Sequence, residues 1–460
     1  MTGLARVVAT CVGLAALSLF APWALTYDPW AWLIWGREIG HFTLNTNYGP
    51  SWKPLPVLFT TLYGLVPSAA PALWVLTARA AGLASIALAF RVARRLGGGV
   101  AGGLVAAACV ALITDYGRFA ANGYSEGLLA AFLLTGIELH LVGRRRAALT
   151  VGFCACLLRP EAWPFAGLYA LWLARRDPAV RRAVPALVVL GGVLWFGAEL
   201  WGSGDAFRAG SRAHTPNPNS LAFSDHPAWE VLKRAVSLLP WPARIGFVAL
   251  PVATRRLRLP DGSRARALEV LALAAVAWVA IVAAMTEGGF SGNTRYLMAP
   301  LALVGVAAGA TWGLVAARLL PGRGRVATAA ALGLALVTSI GSITNLNKAG
   351  GAIHSESRLM HALDVAIHRA GGPRAILRCG QPTIGPFHVP ALAWRLDVSF
   401  SRVSSAPAGK DIVPRYPGTV WRATPGYAGP PRATPINIDD PRFRPIATAG
   451  PWQVLAACGR

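Results

Sequence analysis

Apolar runs close to the length of a membrane-spanning helix recur along the first three-quarters of the chain, separated by short polar loops. A bilayer core needs ~20 apolar residues in helical form. Runs of about that length or somewhat less lie at about 7–26, 71–91, 98–114, 126–142, 147–160, 163–174, 183–200, 236–253, 267–286, 296–318 and 326–345. The short pair 147–160 and 163–174 reads as one bent hairpin. The pattern predicts an α-helical polytopic membrane protein with about eleven transmembrane helices. After residue 345 the pattern changes. Residues 346–460 are rich in Pro and Gly, with short apolar pieces such as PRAILRC, ALAWRLDVSF and PWQVLAAC. They read as a small C-terminal α/β domain following a transmembrane module over residues 1–345. No internal repeat is visible, so the inverted-repeat pattern of transporters has no support.

The polar positions sort by side. Loops on one side carry Arg6, Arg91, Arg94, Arg95, Arg144, Arg145, Arg146, Arg175, Arg176, Arg181, Arg182, Arg255, Arg256, Arg258, Arg264, Arg266, Arg318, Arg323 and Arg325, against Asp177 and Asp261. That bias marks them as cytoplasmic. The loops 27–70, 115–125, 201–235, 287–295 and the tail then face outward. Arg6 before an apolar stretch has the outline of a signal peptide, but no clear A-x-A site follows, and the segment is expected to be retained.

Composition agrees. The chain is 54% hydrophobic and 14% charged, with mean hydropathy +0.47, against ~25% charged in soluble domains. The net charge of +24 would suggest nucleic acid in a soluble chain; here its distribution is a topology signal, and no nucleic-acid partner is expected. Cys11, Cys109, Cys154 and Cys156 lie in apolar runs and read as small core residues. Cys379 and Cys458 lie outside the spans and suit a disulfide if the tail is extracytoplasmic.

The first outer loop is unlike the others. It reads YDPWAWLIWGREIGHFTLNTNYGPSWKPLPVLF from Tyr27. Pro54 and Pro56 oppose a continuous spanning helix. Trp30, Trp32, Trp35 and Trp52 suit the membrane interface. Two interfacial helices are expected, at about 30–40 and 54–65, joined by a polar turn at 41–53. An ordinary aromatic belt beside a solvated loop would look the same.

The order of motifs resembles the type C (GT-C) glycosyltransferases, which include protein O-mannosyltransferases, lipid A aminoarabinose transferases and actinobacterial arabinofuranosyltransferases. The pieces are Asp28 after the first span, Trp52-Lys53-Pro54-Leu55-Pro56, Tyr63-Gly64 and Ala93-Arg94-Arg95-Leu96. FAANGYSEGLL (119–129), LLRPEAWPF (157–165) and NTRYLMAPLAL (293–303) continue the series. The resemblance covers roughly the first 320 residues and implies an inverting transferase with a polyprenyl-phosphate sugar donor. The acceptor would be a glycan, lipid or protein of the cell envelope, at the outer face of the cytoplasmic membrane. The Gly/Ala/Arg-heavy composition suits a GC-rich genome such as an actinobacterial one.

Candidate residues follow from that chemistry. A carboxylate in a partly dry site can deprotonate an attacking hydroxyl, and Asp28 has the right type and depth. Many members of the family carry two adjacent acids there, whereas this chain has Asp28-Pro29, so Glu126 is the candidate second acid. The missing acid puts a divalent metal (Mg, Mn or Ca) in question. The leaving phosphate needs cations: Lys53 first, then Arg159 and Arg295, with Arg208 and Arg212 in the long loop 201–235. Glu161, His214, Trp52 and Tyr124 complete the candidate site. Each has a plain alternative. Lys53 can be a snorkelling lysine, Arg159 and Glu161 a structural ion pair, Arg295 a positional anchor, and loop 201–235 a solvated loop. In the tail, Trp394, Trp421, Tyr416, Tyr427 and Trp452 either stack on sugars or form a core. A flippase of lipid-linked glycans and a non-catalytic envelope scaffold are the competing readings for the whole chain.

Overall fold

The apolar runs fold as helices. The protein is described by a computed structural model covering residues 2–256, 262–406, 411–412, 414–426 and 433–459; Arg258, Asp261 and Tyr427 lie outside the described residues. The first helix, α1 (Thr2–Ser18), is followed by α2 (Tyr27–Gly40) and α3 (Pro54–Tyr63). Next come α4 (Ala70–Ala93) and α5 (Gly99–Ala111). A Cβ built on Gly103 would lie 2.7 Å from the Phe90 ring, although a straight helix separates such positions by about 20 Å. The chain therefore doubles back at Arg94–Gly98, where Gly97 has φ 101°, and α4 and α5 form a hairpin.

A short α6 (Tyr116–Ala121) leads to α7 (Glu126–Leu141), α8 (Arg145–Cys156) and α9 (Trp163–Ala174). Then follow α10 (Pro178–Gly192), continuing through Val193–Gly197 into α11 (Ala198–Ser203), and the short α12 (Arg208–Ala213). The series ends with α13 (Pro227–Leu238), α14 (Trp241–Pro251), α15 (Gly262–Glu287), α16 (Met298–Leu319), α17 (Gly324–Thr338) and α18 (Ile340–Arg369). Among the described residues, four helices are individually long and apolar enough to span a bilayer, and up to six if each bent pair counts as one. This is a multi-pass membrane protein.

Three expectations are corrected. The first helix stops at Ser18, short of residue 26, because Arg79 donates to the carbonyls of Ser18 and Pro22 and holds the chain in a non-helical path. The run at 236–253 is broken: α13 and α14 meet at 106°, at Pro240, which with Pro242 removes donors from a continuing helix. The Trp side chains of the first outer loop do not form a lipid-facing belt. Trp30, Trp32, Trp35 and Trp52 are all buried, with Trp32 edge-on to Trp74 and Trp35 against Trp52. An amphipathic ring suits a protein core as well as an interface.

Glycines set the tightest seam. A Cβ on Gly309 would meet the Ala106 backbone nitrogen at 2.4 Å, and one on Gly313 the Gly98 carbonyl at 1.9 Å. Small residues spaced by four let α5 and α16 approach backbone to backbone.

Helix α17 bends 56° into α18, which runs through residue 345 and carries the chain into its C-terminal part. There α19 (Gly372–Cys379), β1 (Gln381–Ile384), α20 (Val389–Arg395), β2 (Ser404–Ser405), β3 (Asp411–Ile412), β4 (Gly418–Ala423), β5 (Asn437–Ile438), β6 (Arg444–Ala449) and β7 (Trp452–Ala457) follow. The main sheet has the order β2-β1-β4-β7-β6, parallel at β2/β1/β4 and antiparallel at β4/β7/β6. Cys379 and Cys458 are joined by a disulfide. Trp421 and Trp452 are buried in this unit, so their part is in the core; Tyr416 is exposed and carries Arg442 over its ring.

Candidate active site

Five separate segments bring charge to one place, with Glu126 supplied by the first turn of α7. Asp28 sits in the first turn of α2, where a carboxylate complements the helix dipole. Lys53 is the residue before α3, whose first turn begins with Pro54. Arg159 and Glu161 lie in the break between α8 and α9, which Pro160 enforces. Arg295 lies in the turn Thr294–Leu297 that opens α16, with the Asn293 side chain accepting from its backbone N–H.

These groups pair across the chain. Arg295 Nη1 donates to Asp28 Oδ2 at 2.6 Å. Arg159 pairs with Glu126 Oε1 and lies 3.9 Å from Glu161. The rings of Tyr124 and Tyr296 are shared: Arg295 lies 5.1 and 5.7 Å from their centroids, and Arg159 lies 4.1 Å from Tyr296. Lys53 Nζ stands 5.2 Å from the Trp32 ring. Three cations (Lys53, Arg159, Arg295) thus face three carboxylates (Asp28, Glu126, Glu161), all buried except Arg295, which is partly so.

The pairing is incomplete. Lys53 Nζ, Glu126 Oε2, Glu161 Oε2 and Arg295 Nε are buried with no hydrogen-bond partner. Each unmade bond costs roughly 1–3 kcal/mol, more for a charged group, so the cluster holds unspent donors and acceptors. Burial, aided by the nearby Arg159 charge, pushes the Lys53 ammonium down to about 7. Burial alone would raise the Asp28 carboxyl, but Arg295 and Lys53 outweigh it and hold it below the usual range.

The sequence candidates therefore divide. Asp28, Lys53, Tyr124, Glu126, Arg159, Glu161 and Arg295 come together. Arg208 and Arg212 do not join them: Arg208 donates to the carbonyls of Pro50 and Gly49, and Arg212 to Gly49 and Thr215. They brace the turn leading to Lys53. His214 packs against Phe290, its ring tilted by 53° with centroids 4.0 Å apart. Trp52 is buried and donates to the Leu194 carbonyl at 2.9 Å. Tyr296 and Trp32 were missed. Tyr296 follows Arg295 directly, so its place in the motif was the available signal. Among the described residues no group of three His, Cys, Asp or Glu converges, and Asp28 and Glu126 each face a guanidinium.

An apolar groove of about 350 Å³ runs between α8, α9 and α10, lined among others by Phe153, Leu157, Trp163, Gly167, Val188 and Trp195. Its wall is bonded to the Lys53 segment. The Leu55 N–H donates to the Leu157 carbonyl at 3.1 Å, and Trp52 reaches Leu194, beside Trp195.

No protein-family model and no curated protein matches the sequence. Solved structures do match the fold. One is ArnT from Cupriavidus metallidurans bound to undecaprenyl phosphate, at 14% identity and TM-score 0.57, covering 100% of this chain and 98% of the other. The apo state of the same protein matches at 16% identity and TM-score 0.55, covering 100% and 99%. The chain shares the fold of these structures along its whole length.

Proposed function

We propose that the protein is an inverting glycosyltransferase. It moves a sugar from a polyprenyl-phosphate donor to a cell-envelope acceptor at the outer face of the cytoplasmic membrane. The observation that carries this reading is the buried Lys53 Nζ, which has no hydrogen-bond partner and lies between Trp52 and Leu55, two residues hydrogen-bonded to the segments that line the apolar groove. A buried cation with no partner fits an anion, and the adjoining groove fits an isoprenoid chain. A polyprenyl phosphate needs both features side by side. The ArnT structure that shares this fold is bound to undecaprenyl phosphate.

The chemistry follows from the pairing. The donor phosphate competes with Asp28 for Arg295 and takes Lys53 as its second cation. Release from Arg295 lets the Asp28 carboxyl rise toward its ordinary value and act as a base. Asp28 then takes the proton of the acceptor hydroxyl as that oxygen attacks the anomeric carbon. The bond from that carbon to the phosphate oxygen breaks, and the electron pair leaves with the lipid phosphate. A single displacement inverts the anomeric centre. Lys53, Arg159 and Arg295 stabilise the charge that develops on the leaving oxygen, and Glu126 keeps Arg159 in place.

The test is transfer by the purified protein in lipid from radiolabelled polyprenyl-phosphate sugars of long and short chain, with and without EDTA. Gly167→Trp fills the groove, since a Cβ there meets nothing within 4 Å. It should raise KM for long-chain donors at least tenfold and leave short-chain donors within twofold; EDTA should change neither. Equal loss for both chain lengths would place the isoprenoid elsewhere. Neither binding nor transfer of any donor would end the transferase reading.

A further inference from the structure

We infer that the C-terminal part of the chain is a component of the catalytic machinery: the α20 turn grips α2 and fixes Asp28 in its working position. The inference rests on the transferase reading for its consequence, not for its geometry.

The grip has two ends. At one end, Arg37 of α2 donates from Nη1 to Asp397 Oδ1 at 2.5 Å and from Nη2 to the Val398 carbonyl at 2.8 Å. Its guanidinium also lies 5.1 Å from the Trp394 ring centroid. At the other end, Trp30, two residues from Asp28, packs against Trp394 with centroids 6.2 Å apart. Arg395 lies 4.7 Å from the Trp30 centroid and is itself held by Asp364 of α18 at 2.5 Å. Between them, Phe400 meets Trp35 at 6.1 Å. The helix that carries Asp28 is therefore held on one side by α3 and on the other by residues some 360 positions later.

The same region holds the second acid's approach. Glu356 of α18 accepts from Arg118 at 2.6 Å and pairs with the Asn122 amide. Arg118 and Asn122 belong to α6 and its turn, which leads through Tyr124 to Glu126. Two of the three segments that bring carboxylates to the site, those of Asp28 and Glu126, thus carry a contact from the C-terminal part.

Relative strengths decide which residue matters. The Asp397 side chain is 84% exposed, and an exposed ion pair adds little by itself. Arg37 is mostly buried, and its three partners act on one planar group. Arg37 is then the principal positioning residue and Asp397 a minor one. A reacting group displaced by ~1 Å can cost about 10²-fold in rate.

The experiment compares Arg37→Gln and Asp397→Asn with wild type in lipid. Asp397 has φ 55°, a conformation that Asn also tolerates, so Asp397→Asn keeps the turn. Two readouts are needed: kcat and KM at varied donor, and hydrogen exchange of the amides of Tyr27–Gly40. Arg37→Gln should lower kcat about tenfold or more, with donor KM within twofold, and speed exchange along α2. Asp397→Asn should do the same about two- to threefold. Unchanged exchange in α2 for both variants would overturn the grip whatever happens to activity. Faster exchange with unaltered kcat would overturn its catalytic role. A wild type that transfers no sugar, beside variants with faster exchange, would sink the transferase reading and leave the grip standing.

Discussion

Helix α7 carries a buried acid at each end, and the chain treats the two oppositely. Glu138, near its C-terminal end, has both oxygens occupied: Arg91 Nε donates to Oε1 at 2.9 Å and Oε2 at 2.8 Å, and Arg95 adds bonds at 3.3 Å. Glu126, at its N-terminal end, accepts from Arg159 on one oxygen and leaves the other without a partner. Around Glu138 the surplus charge reaches solvent, since Arg91 and Arg95 are partly exposed. Around Glu126 nothing escapes, and Lys53 and Arg295 also keep unspent donors. A saturated cluster ties two helices together. An unsaturated one at equal depth stores a cost that only a ligand can recover. The comparison separates a saturated charge from an unsaturated one on the same helix, which residue type alone does not.

The strongest way to break the comparison is at Asp28. Asp28→Asn keeps the shape but removes the base and should lower kcat by about 10²–10⁴-fold, with the thermal midpoint little changed. Loss of folding instead would make the Asp28–Arg295 pair structural. The next effect is on pH. Because the Lys53 ammonium lies near 7, it loses its proton as pH rises through that value, and donor affinity should fall with it. Donor KM measured from pH 6 to 9 should rise about tenfold in wild type and stay level in Lys53→Arg, which remains charged. A flat wild-type profile would remove Lys53 from the phosphate. The smallest effect on activity belongs to Glu138→Gln. It should cost roughly 1–3 kcal/mol of stability, between the exposed and buried limits for an ion pair, and leave kcat of the folded protein within twofold. A large kcat loss there would erase the distinction between the two ends of α7.

Much of this was legible in the sequence, for reasons that residues make plain. Hydrophobic length placed the helices, because a backbone in lipid must satisfy itself within each segment. Arg159 was legible as a candidate because charge within an apolar run is costly without a role, and Asp28, Lys53, Glu126 and Arg295 through the family motifs that their segments resemble. What could not be read was partnership. Arg295 and Asp28 are 267 residues apart and Arg37 and Asp397 are 360 apart, so only the tertiary fold decides that they meet. The partners of Arg208 and Arg212 were hidden for the same reason: guanidinium groups in a loop suit phosphates and backbone carbonyls equally, and the nearness of Gly49 and Pro50 was invisible. The buried Trp side chains failed differently, since their amphipathic rings satisfy two environments.

The distance along the chain between Arg37 and its partners has a consequence for biogenesis. Chains grow at ~5–20 residues per second, so the 360 residues between Arg37 and Asp397 take roughly 20–70 s to synthesise. Throughout that interval the helix bearing Asp28 has already emerged, while the residues that hold it do not yet exist. The buried charged cluster is therefore among the last parts of the molecule to be completed, and a prematurely terminated chain would enter the membrane without the residues that hold α2.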